Sequence, residues 1–177
     1  NNTCISCGAC VYQCPFGAIT DKSYILNVID MIKKSGDNEK YHVYAVIAPS
    51  ISSQFTYAKL GQVVTGLHRL GFYSVAEAAL GADVEKGFLT SSCCPGFVSY
   101  IEKAFPELKP YISHNLSPMA TIARYLKEHD ATAKVVFIGP CTAKKGEAAK
   151  QEVRPYVDAA MTFEELQALF DSREIDI

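Results

Sequence analysis

Apolar residues along this chain alternate between helical spacing and short continuous runs. Recurrence every three or four residues predicts amphipathic helices over 24–35, 54–70, 96–105 and 117–129. Short apolar runs predict strands at 42–48, 72–75, 87–90, 134–138 and 159–161. Because strands that alternate with helices assemble into a parallel sheet, the pattern predicts an α/β fold, a parallel sheet flanked by helices.

Local signals mark where several helices begin or end. Ser117 followed by Pro118 is typical of an N-cap and the first helical residue. Gly71 is expected to end the helix over 54–70. Thr162 and Glu165 have the spacing of a capping box and predict a last helix that starts just after them.

Composition narrows the classes of protein that fit this pattern. A chain of 177 residues with 49% hydrophobic and 20% charged residues fits one globular domain plus a small appendage. A formal net charge of −2 leaves no excess of Lys and Arg, so we expect no nucleic acid partner. The longest apolar runs are strand-sized, so no membrane span is expected, and the first residues show no secretory signal. Since the sequence opens at Asn1 without Met and stops at Ile177 just past a helical pattern, we interpret it as a partial chain.

The cysteines are the unusual part of the composition. Seven is an odd number, and six of the seven fall in two tight groups. A disulfide framework belongs to small secreted domains, which neither the length nor the missing signal matches. We therefore interpret the groups as metal ligands in a reducing compartment. The first group is Cys4, Cys7, Cys10 and Cys14, the second is Cys93 and Cys94, and Cys141 stands alone.

The first group has the spacing of the iron-sulfur run of bacterial ferredoxins, C-x2-C-x2-C-x3-C-P, and predicts a 4Fe-4S cluster. A zinc knuckle and reduced structural thiols are the alternatives, although zinc sites usually pair two short spacings across a longer gap. The fourth cysteine of such runs commonly binds a neighbouring cluster, so Cys14 either indicates a second run upstream or closes a single cluster in a non-standard way. We expect a dry shell around the cluster from Ile5, Val11, Phe16 and Ile19.

Three further motifs follow predicted strands. Pro49-Ser50 follows the first strand, Cys93-Cys94 the strand at 87–90, and Cys141 with Lys144 the strand at 134–138. Because ligands bind beyond the carboxyl ends of parallel strands, we expect these loops to converge, with Lys144 beside thiols that it favours as thiolates. The alternatives are core packing for Cys141, an exposed helix start for Lys144, Lys145 and Glu147, and an N-cap for Ser50.

Residues 90–97 (TSSCCPGF) and 140–147 (PCTAKKGE) resemble the first two cluster-binding signatures of the iron-only hydrogenases of the FeFe type. Residues 63–72 and 81–83 are similar to that family too, so the resemblance covers nearly the whole chain. It implies a ferredoxin-type 4Fe-4S segment over 1–22, a connecting helix and loop over 23–40, and the first half of the catalytic domain over 41–177.

The resemblance implies reversible reduction of protons to H2 at an H-cluster, a 4Fe-4S cubane joined through a cysteine sulfur to a two-iron site that carries CO, cyanide and a dithiolate. By the family pattern, Cys94 and Cys141 are two of four cubane ligands and Cys93 is the proton-relay thiol. Lys144 hydrogen-bonds one cyanide, because an ammonium suits an anionic ligand in a dry pocket.

Four further assignments follow from the same resemblance. Pro49 and Ser50 line the other cyanide, Ser117 lies in the pocket wall, and Glu147 matches an acidic position near the proton route. Expected partners are ferredoxin or a similar redox carrier, H2 and protons as substrates, and hydrogenase maturation proteins. The implied location is the cytoplasm of an anaerobic organism.

Two other functions fit the cluster cysteines. One is a non-catalytic 4Fe-4S electron-transfer or redox-sensing protein, and the other is an iron-sulfur assembly factor of the hydrogenase-like kind. Neither has a use for a lysine that binds cyanide, so Lys144 favours the enzyme.

The chain also departs from the family pattern. Two cubanes need eight thiolates, whereas six cysteines remain once Cys93 is assigned to proton transfer. The third signature lies beyond Ile177, so we expect this polypeptide alone to be inactive. The connection over 83–89 is shorter than usual in the family, by about one helix. Phe97, Met119 and Gly139 stand where members usually have Trp, Gln and Met.

Overall fold

The computed structural model describes residues 3–81 and 92–177. The predicted strand at 87–90 and the short connection over 83–89 lie outside the described residues. In the part of the chain that the structure describes, no helix is long and apolar enough to cross a membrane.

Within residues 3–81 and 92–177, four parallel strands form one sheet in the order β2-β1-β3-β4. The strands are β1 (Val43–Ile47), β2 (Ser74–Glu77), β3 (Lys134–Gly139) and β4 (Ala159–Thr162). In the register of the sheet, Val46 of β1 pairs with Ala76 of β2 and with Phe137 of β3. The predicted α/β class with a parallel sheet is therefore confirmed.

Eight α-helices accompany these strands within the described ranges. They are α1 (Ala9–Tyr12), α2 (Ile25–Ser35), α3 (Ile51–Gln54), α4 (Leu60–Leu70), α5 (Pro95–Ala104), α6 (Pro118–His129), α7 (Ala143–Ala148) and α8 (Phe163–Ser172). Short 3₁₀ segments cover Ala78–Gly81 and Pro106–Tyr111. Ser117 caps α6, Gly71 ends α4 at φ 106°, and Thr162 with Glu165 forms the capping box of α8, each as predicted.

The core lies on both sides of β1 and β3, which are buried because they are the central strands. Right-handed crossovers place α4, which leads from β1 to β2, and α6, which leads back to β3, on opposite faces of the sheet. Val28 of α2 is fully buried in the same core, so this helix packs on the sheet.

One predicted helix is divided in the structure. The helix expected over 54–70 begins only at Leu60, and α3 ends before it at Gln54. Phe55 leaves helical geometry and is 2% exposed, with its ring edge-on to Phe163 and Phe170 at centroid distances of 6.1 and 6.3 Å. Burial of this ring outweighs the helical spacing of the segment, and Gln62 Oε1 then caps the new helix start by accepting from Lys59 N at 2.8 Å.

A cluster of polar side chains lies at the amino end of β1. His42 Nδ1 lies 2.6 Å from Asp130 Oδ2, and Tyr44 donates to the same oxygen at 3.0 Å. Burial alone raises the pKa of Asp130, but hydrogen bonds from Thr132, His42 and Tyr44 outweigh it and lower the pKa to about 2. Burial, followed by the contact with Asp130, raises the pKa of Tyr44 to about 12. The cluster joins β1 to the loop before β3, remote from the carboxyl ends of the strands.

Candidate functional site

A cavity of about 420 Å³ opens at the carboxyl ends of β1 and β3. The connections that follow these two neighbouring strands run to opposite faces of the sheet, and a crevice forms where they separate. Described residues that line it are Ala48, Pro49, Ser50, Ala78, Ala79, Cys93, Cys94, Pro95, Pro118, Met119, Phe137, Pro140, Cys141 and Lys144. The loops predicted to converge do so here.

Three thiols line this cavity, two from the adjacent residues Cys93 and Cys94 and one from Cys141, far along the chain. Cys94 is the N-cap of α5, and its Sγ accepts a hydrogen bond from Phe97 N at 3.5 Å. Cys141 lies in the turn between β3 and α7 and is half-buried at the cavity wall, so core packing does not describe it. Cys93 lines the same cavity and is exposed. All seven cysteines lie in the described ranges, and none of them forms a disulfide.

Lys144 is the charged residue among the described residues that line the cavity. Its side chain is 12% exposed, and Nζ lies 2.7 Å from Glu147 Oε2, whose own side chain is 8% exposed. The ammonium also lies 5.6 Å from the centroid of the Phe137 ring. The alternative of an exposed helix start is therefore wrong for Lys144 and Glu147, which form a buried ion pair.

Phe137 explains why Gly139 fits at the cavity floor. A Cβ at Gly139 would lie 2.5 Å from Phe137 Cε1 and 3.3 Å from Ala48 Cβ. The ring therefore fills the space that a side chain at 139 needs, and it supplies an apolar wall beside Lys144. A continuous apolar run at 134–138 gives no sign of this role for Phe137, so it was not predicted from the sequence.

Ser117 and Glu147 line an adjoining cavity of about 210 Å³ instead, and Pro95 lies between the two cavities. Ser117 Oγ accepts from Ala120 N at 3.4 Å, so the hydroxyl caps α6, while Pro118 and Met119 form the wall of the main cavity. Ser117 was expected in the wall of the main cavity, but that wall starts one residue later, at Pro118. Ser50 lines the main cavity with Pro49, and its side chain makes no capping hydrogen bond to α3.

The N-terminal cysteine run folds as a loop around the single turn α1. Cys4 Sγ accepts from Ser6 N at 3.4 Å, and this backbone N–H lowers the pKa of Cys4. The backbone N–H of Phe16, followed by those of Ile19 and Ala18, lowers the pKa of Cys14. Backbone N–H groups directed at sulfur favour the thiolates that bind iron, so these two positions fit the chemistry of an iron-sulfur cluster.

The structure bears on two expectations about this run, the dry shell around the cluster and the alternative of a zinc knuckle. Phe16 is 89% exposed and Ile19 is 47% exposed, so the expected dry shell does not include them. Across 3–81 and 92–177, no three His, Cys, Asp or Glu side chains converge tightly enough to hold a single metal ion, as a zinc knuckle requires.

The N-terminal run lies against the loops of the main cavity. Ile5 O, Ala143 Cβ and Cys94 Sγ are all within 3.9 Å of the position that a Cβ on Gly96 would take. Thr142, the residue after Cys141, donates from Oγ1 to Ser6 O at 3.0 Å. The two groups of cysteines thus belong to segments in direct contact.

Comparison with known proteins identifies two family models that match this chain. The family model for the iron only hydrogenase large subunit, C-terminal domain, matches residues 41–177, and a 4Fe-4S binding domain matches residues 1–20. The NADP-reducing hydrogenase subunit HndD of Solidesulfovibrio fructosivorans is 27% identical over 99% of this chain and 37% of its own length. Iron hydrogenase 1 of Clostridium pasteurianum is 28% identical over 91% of this chain and 34% of its own length.

A second kind of relative matches a shorter part. The cytosolic Fe-S cluster assembly factor NAR1 of Kluyveromyces lactis is 40% identical over 51% of this chain and 19% of its own length. The chain therefore spans about a third of the length of the hydrogenases and about a fifth of the assembly factor.

Proposed function

Because this chain belongs to the family of iron-only hydrogenase large subunits, we propose that it is the cluster-binding part of a hydrogenase that interconverts protons and H2. One observation carries the proposal. The cavity at the carboxyl ends of β1 and β3 combines three thiols with the buried ammonium of Lys144 in otherwise apolar walls. Thiolates bind iron, and a desolvated ammonium binds an anionic ligand such as cyanide. An H-cluster contains both iron and cyanide.

In this proposal, Cys94 and Cys141 would hold the cubane of the H-cluster, and the cluster would supply the electrons and the iron chemistry that make or split H2. The N–H of Phe97 donates to Cys94 Sγ and stabilises negative charge on that sulfur. Pro49 and Ser50 line the cavity beyond β1, where they would contact the other cyanide of such a cluster.

Proton handling is assigned to Cys93 and to the acidic residue behind Lys144. Cys93 is exposed at the rim of the main cavity, where a thiol can exchange a proton with a bound group one step at a time. Glu147 accepts a hydrogen bond from Lys144 and so holds the ammonium in place. It lines the adjoining cavity together with Ser117, and we assign the entry of protons to that cavity.

Cys4, Cys7, Cys10 and Cys14 are proposed to bind a 4Fe-4S cluster that passes electrons between the cavity and ferredoxin or a similar carrier. We divide the chain accordingly into the cluster segment 1–22, the connection 23–40 and the first part of the catalytic domain 41–177. Assembly of the two-iron site requires hydrogenase maturation proteins, and oxygen-sensitive iron chemistry suits the cytoplasm of an anaerobe.

An iron-sulfur assembly factor is the second candidate, favoured by the 40% identity to the cytosolic Fe-S cluster assembly factor NAR1. A carrier of cubane clusters needs Cys94 and Cys141 but has no cyanide for Lys144 to bind. The two candidates therefore differ in the two-iron site, which is directly measurable.

Infrared spectroscopy of the protein that contains this chain, produced with hydrogenase maturation proteins, distinguishes the candidates. A hydrogenase shows CO and cyanide bands, and Lys144→Met shifts a cyanide band while Lys34→Met, at a 70% exposed lysine of α2, does not. Absence of these bands in a protein that carries its cubane clusters would favour the assembly factor.

Two measurements on the chain of 177 residues test the rest. Anaerobic reconstitution with iron and sulfide should yield the reduced-state resonance of a 4Fe-4S cluster, lost in Cys7→Ser and retained in Cys93→Ser. Zinc in its place would contradict the assignment of the run. Hydrogen evolution from reduced methyl viologen should be absent, because six thiolates do not hold two cubanes.

A further inference from the structure

The geometry points to Lys145 and Thr142 of the α7 region as positioning residues that fix the N-terminal cysteine run against the catalytic cavity, an inference that rests on the proposed function for its redox meaning. Lys145 follows Lys144, and consecutive residues of a helix point about 100° apart. Lys144 therefore faces the cavity while its neighbour faces the N-terminal segment. The expected exposed helix start is wrong for Lys145 as well, because its side chain is 7% exposed.

Three oxygen atoms lie within 3.0 Å of the Lys145 ammonium, two as hydrogen-bond acceptors and one as an ion-pair partner. Nζ lies 2.5 Å from Asp21 Oδ2, 3.0 Å from Lys22 O and 3.0 Å from Glu165 Oε2. Asp21 and Lys22 belong to the segment just after the cysteine run, and Glu165 belongs to the capping box of α8. One buried cation thus joins the end of the run to the body of the domain across 124 positions of sequence.

The beginning of the run is held by α5 and by the residue just before α7. Thr142 Oγ1 donates to Ser6 O at 3.0 Å, and Lys103 of α5 donates to Cys4 O. Gly8, at φ 79°, passes so close to Thr142 that a Cβ would lie 3.0 Å from Oγ1. These contacts flank the four cysteines on both sides.

The helices that make these contacts start at the cavity cysteines. Cys94 is the N-cap of α5, which carries Lys103, and Cys141 lies just before Thr142 and α7. A displacement of the N-terminal run relative to either helix therefore changes the separation of the two cluster sites, and electron exchange depends on that separation. Lys145 and Thr142 act on the reaction through this geometry, without contact with the reacting groups.

Lys145 itself is a poor test position, because its removal leaves the Glu165 carboxylate buried without a cation and threatens folding. Asp21→Asn is sharper: the Asp21 side chain is 33% exposed, and the variant keeps the pair between Lys145 and Glu165. Thr142→Val removes the other contact with little change of volume. Asp30→Asn, at a 59% exposed acid of α2, is the matched control.

The measurement is hydrogen-deuterium exchange of the full chain before and after iron-sulfur reconstitution, read separately for residues 3–20 and for β1 and β3. Asp21→Asn and Thr142→Val should each speed exchange of 3–20 about ten-fold, while β1 and β3 stay within about two-fold of wild type. Asp21→Glu should restore protection, and Asp30→Asn should have no effect.

Three results would overturn the inference. They are unchanged exchange of 3–20 in both variants, equal acceleration of β1 and β3, and a wild-type run that exchanges like an unstructured peptide. Failure of the cluster to form in every variant would count against the proposed function alone, because docking of the run is read without it.

Discussion

Replacement of Glu147 by Gln tests whether Lys144 is held in the cavity by a buried charge. The two side chains are 12% and 8% exposed, and their charged atoms are 2.7 Å apart. At an effective dielectric constant of about 20, that distance corresponds to an attraction of about 6 kcal/mol, which the desolvation of both ions largely offsets. Removal of one partner leaves the other charge buried and is expected to cost about 3–5 kcal/mol.

Urea unfolding of the cluster-free chain measures this loss. With a slope of about 2 kcal/mol per molar urea, the midpoint of Glu147→Gln should fall by about 1.5–2.5 M. Glu128→Gln is the control, because Glu128 pairs with Arg124 at the same 2.7 Å distance but both side chains are more than half exposed. The control should lose only about 0.3–0.5 kcal/mol, as exposed helix pairs do.

A double variant makes the reasoning refutable. Lys144→Met with Glu147→Gln removes both charges, so its loss should fall short of the sum of the single losses by about 2 kcal/mol. Strict additivity, or equal small shifts for Glu147→Gln and Glu128→Gln, would show that the pair is not buried in solution and that Lys144 is free to leave the cavity.

Three further predictions concern the scaffold. The pKa of Asp130, about 2 against an ordinary 3.8, contributes about 2 kcal/mol of stability above pH 4 that is lost as the pH falls toward 2. Asp130→Asn, which also breaks the contact with His42, should therefore unfold more easily than wild type at pH 7 but not near pH 2 in circular dichroism. Gly139→Met should lose about 2 kcal/mol in thermal melts, and the double variant with Phe137→Ala should lose less than the sum of the two single losses; a fully tolerated Met would contradict the close contact. Ser117→Ala should lose about 1 kcal/mol as an N-cap, and an unchanged melting temperature would argue against that hydroxyl contact.

Several elements of this chain are readable from local pattern because short-range chemistry determines them. The apolar runs of β1 and β3 form strands as predicted, and Ser117 and Gly71 bound their helices where their side-chain and backbone preferences indicate. The convergence of Cys94 and Cys141 followed from one topological rule, that parallel strands present their carboxyl ends at a common edge.

Other features depend on partners far away in sequence and were not readable. The helical spacing over 54–70 gave no sign that Phe55 is more stable packed between Phe163 and Phe170 than in a continuous helix. The charges of Lys144 and Lys145 looked alike, yet one faces Glu147 in the cavity wall and the other faces Asp21 at the N-terminal run. Residue type and spacing do not distinguish the environments of two adjacent lysines, because these depend on how α7 packs against the rest of the fold.

The amino-acid sequence by itself predicted the α/β class, the strands β1 and β3 and the convergence of the loops that carry Cys94, Cys141 and Lys144. Each of these depends on spacing or residue type along a few neighbouring positions. Only the tertiary structure decided which charges are buried, which cavity Ser117 and Glu147 line and which contacts hold the N-terminal run. The burial and the ion pairing of a side chain depend on which distant segments pack against it in the folded chain, and the local sequence does not specify those segments.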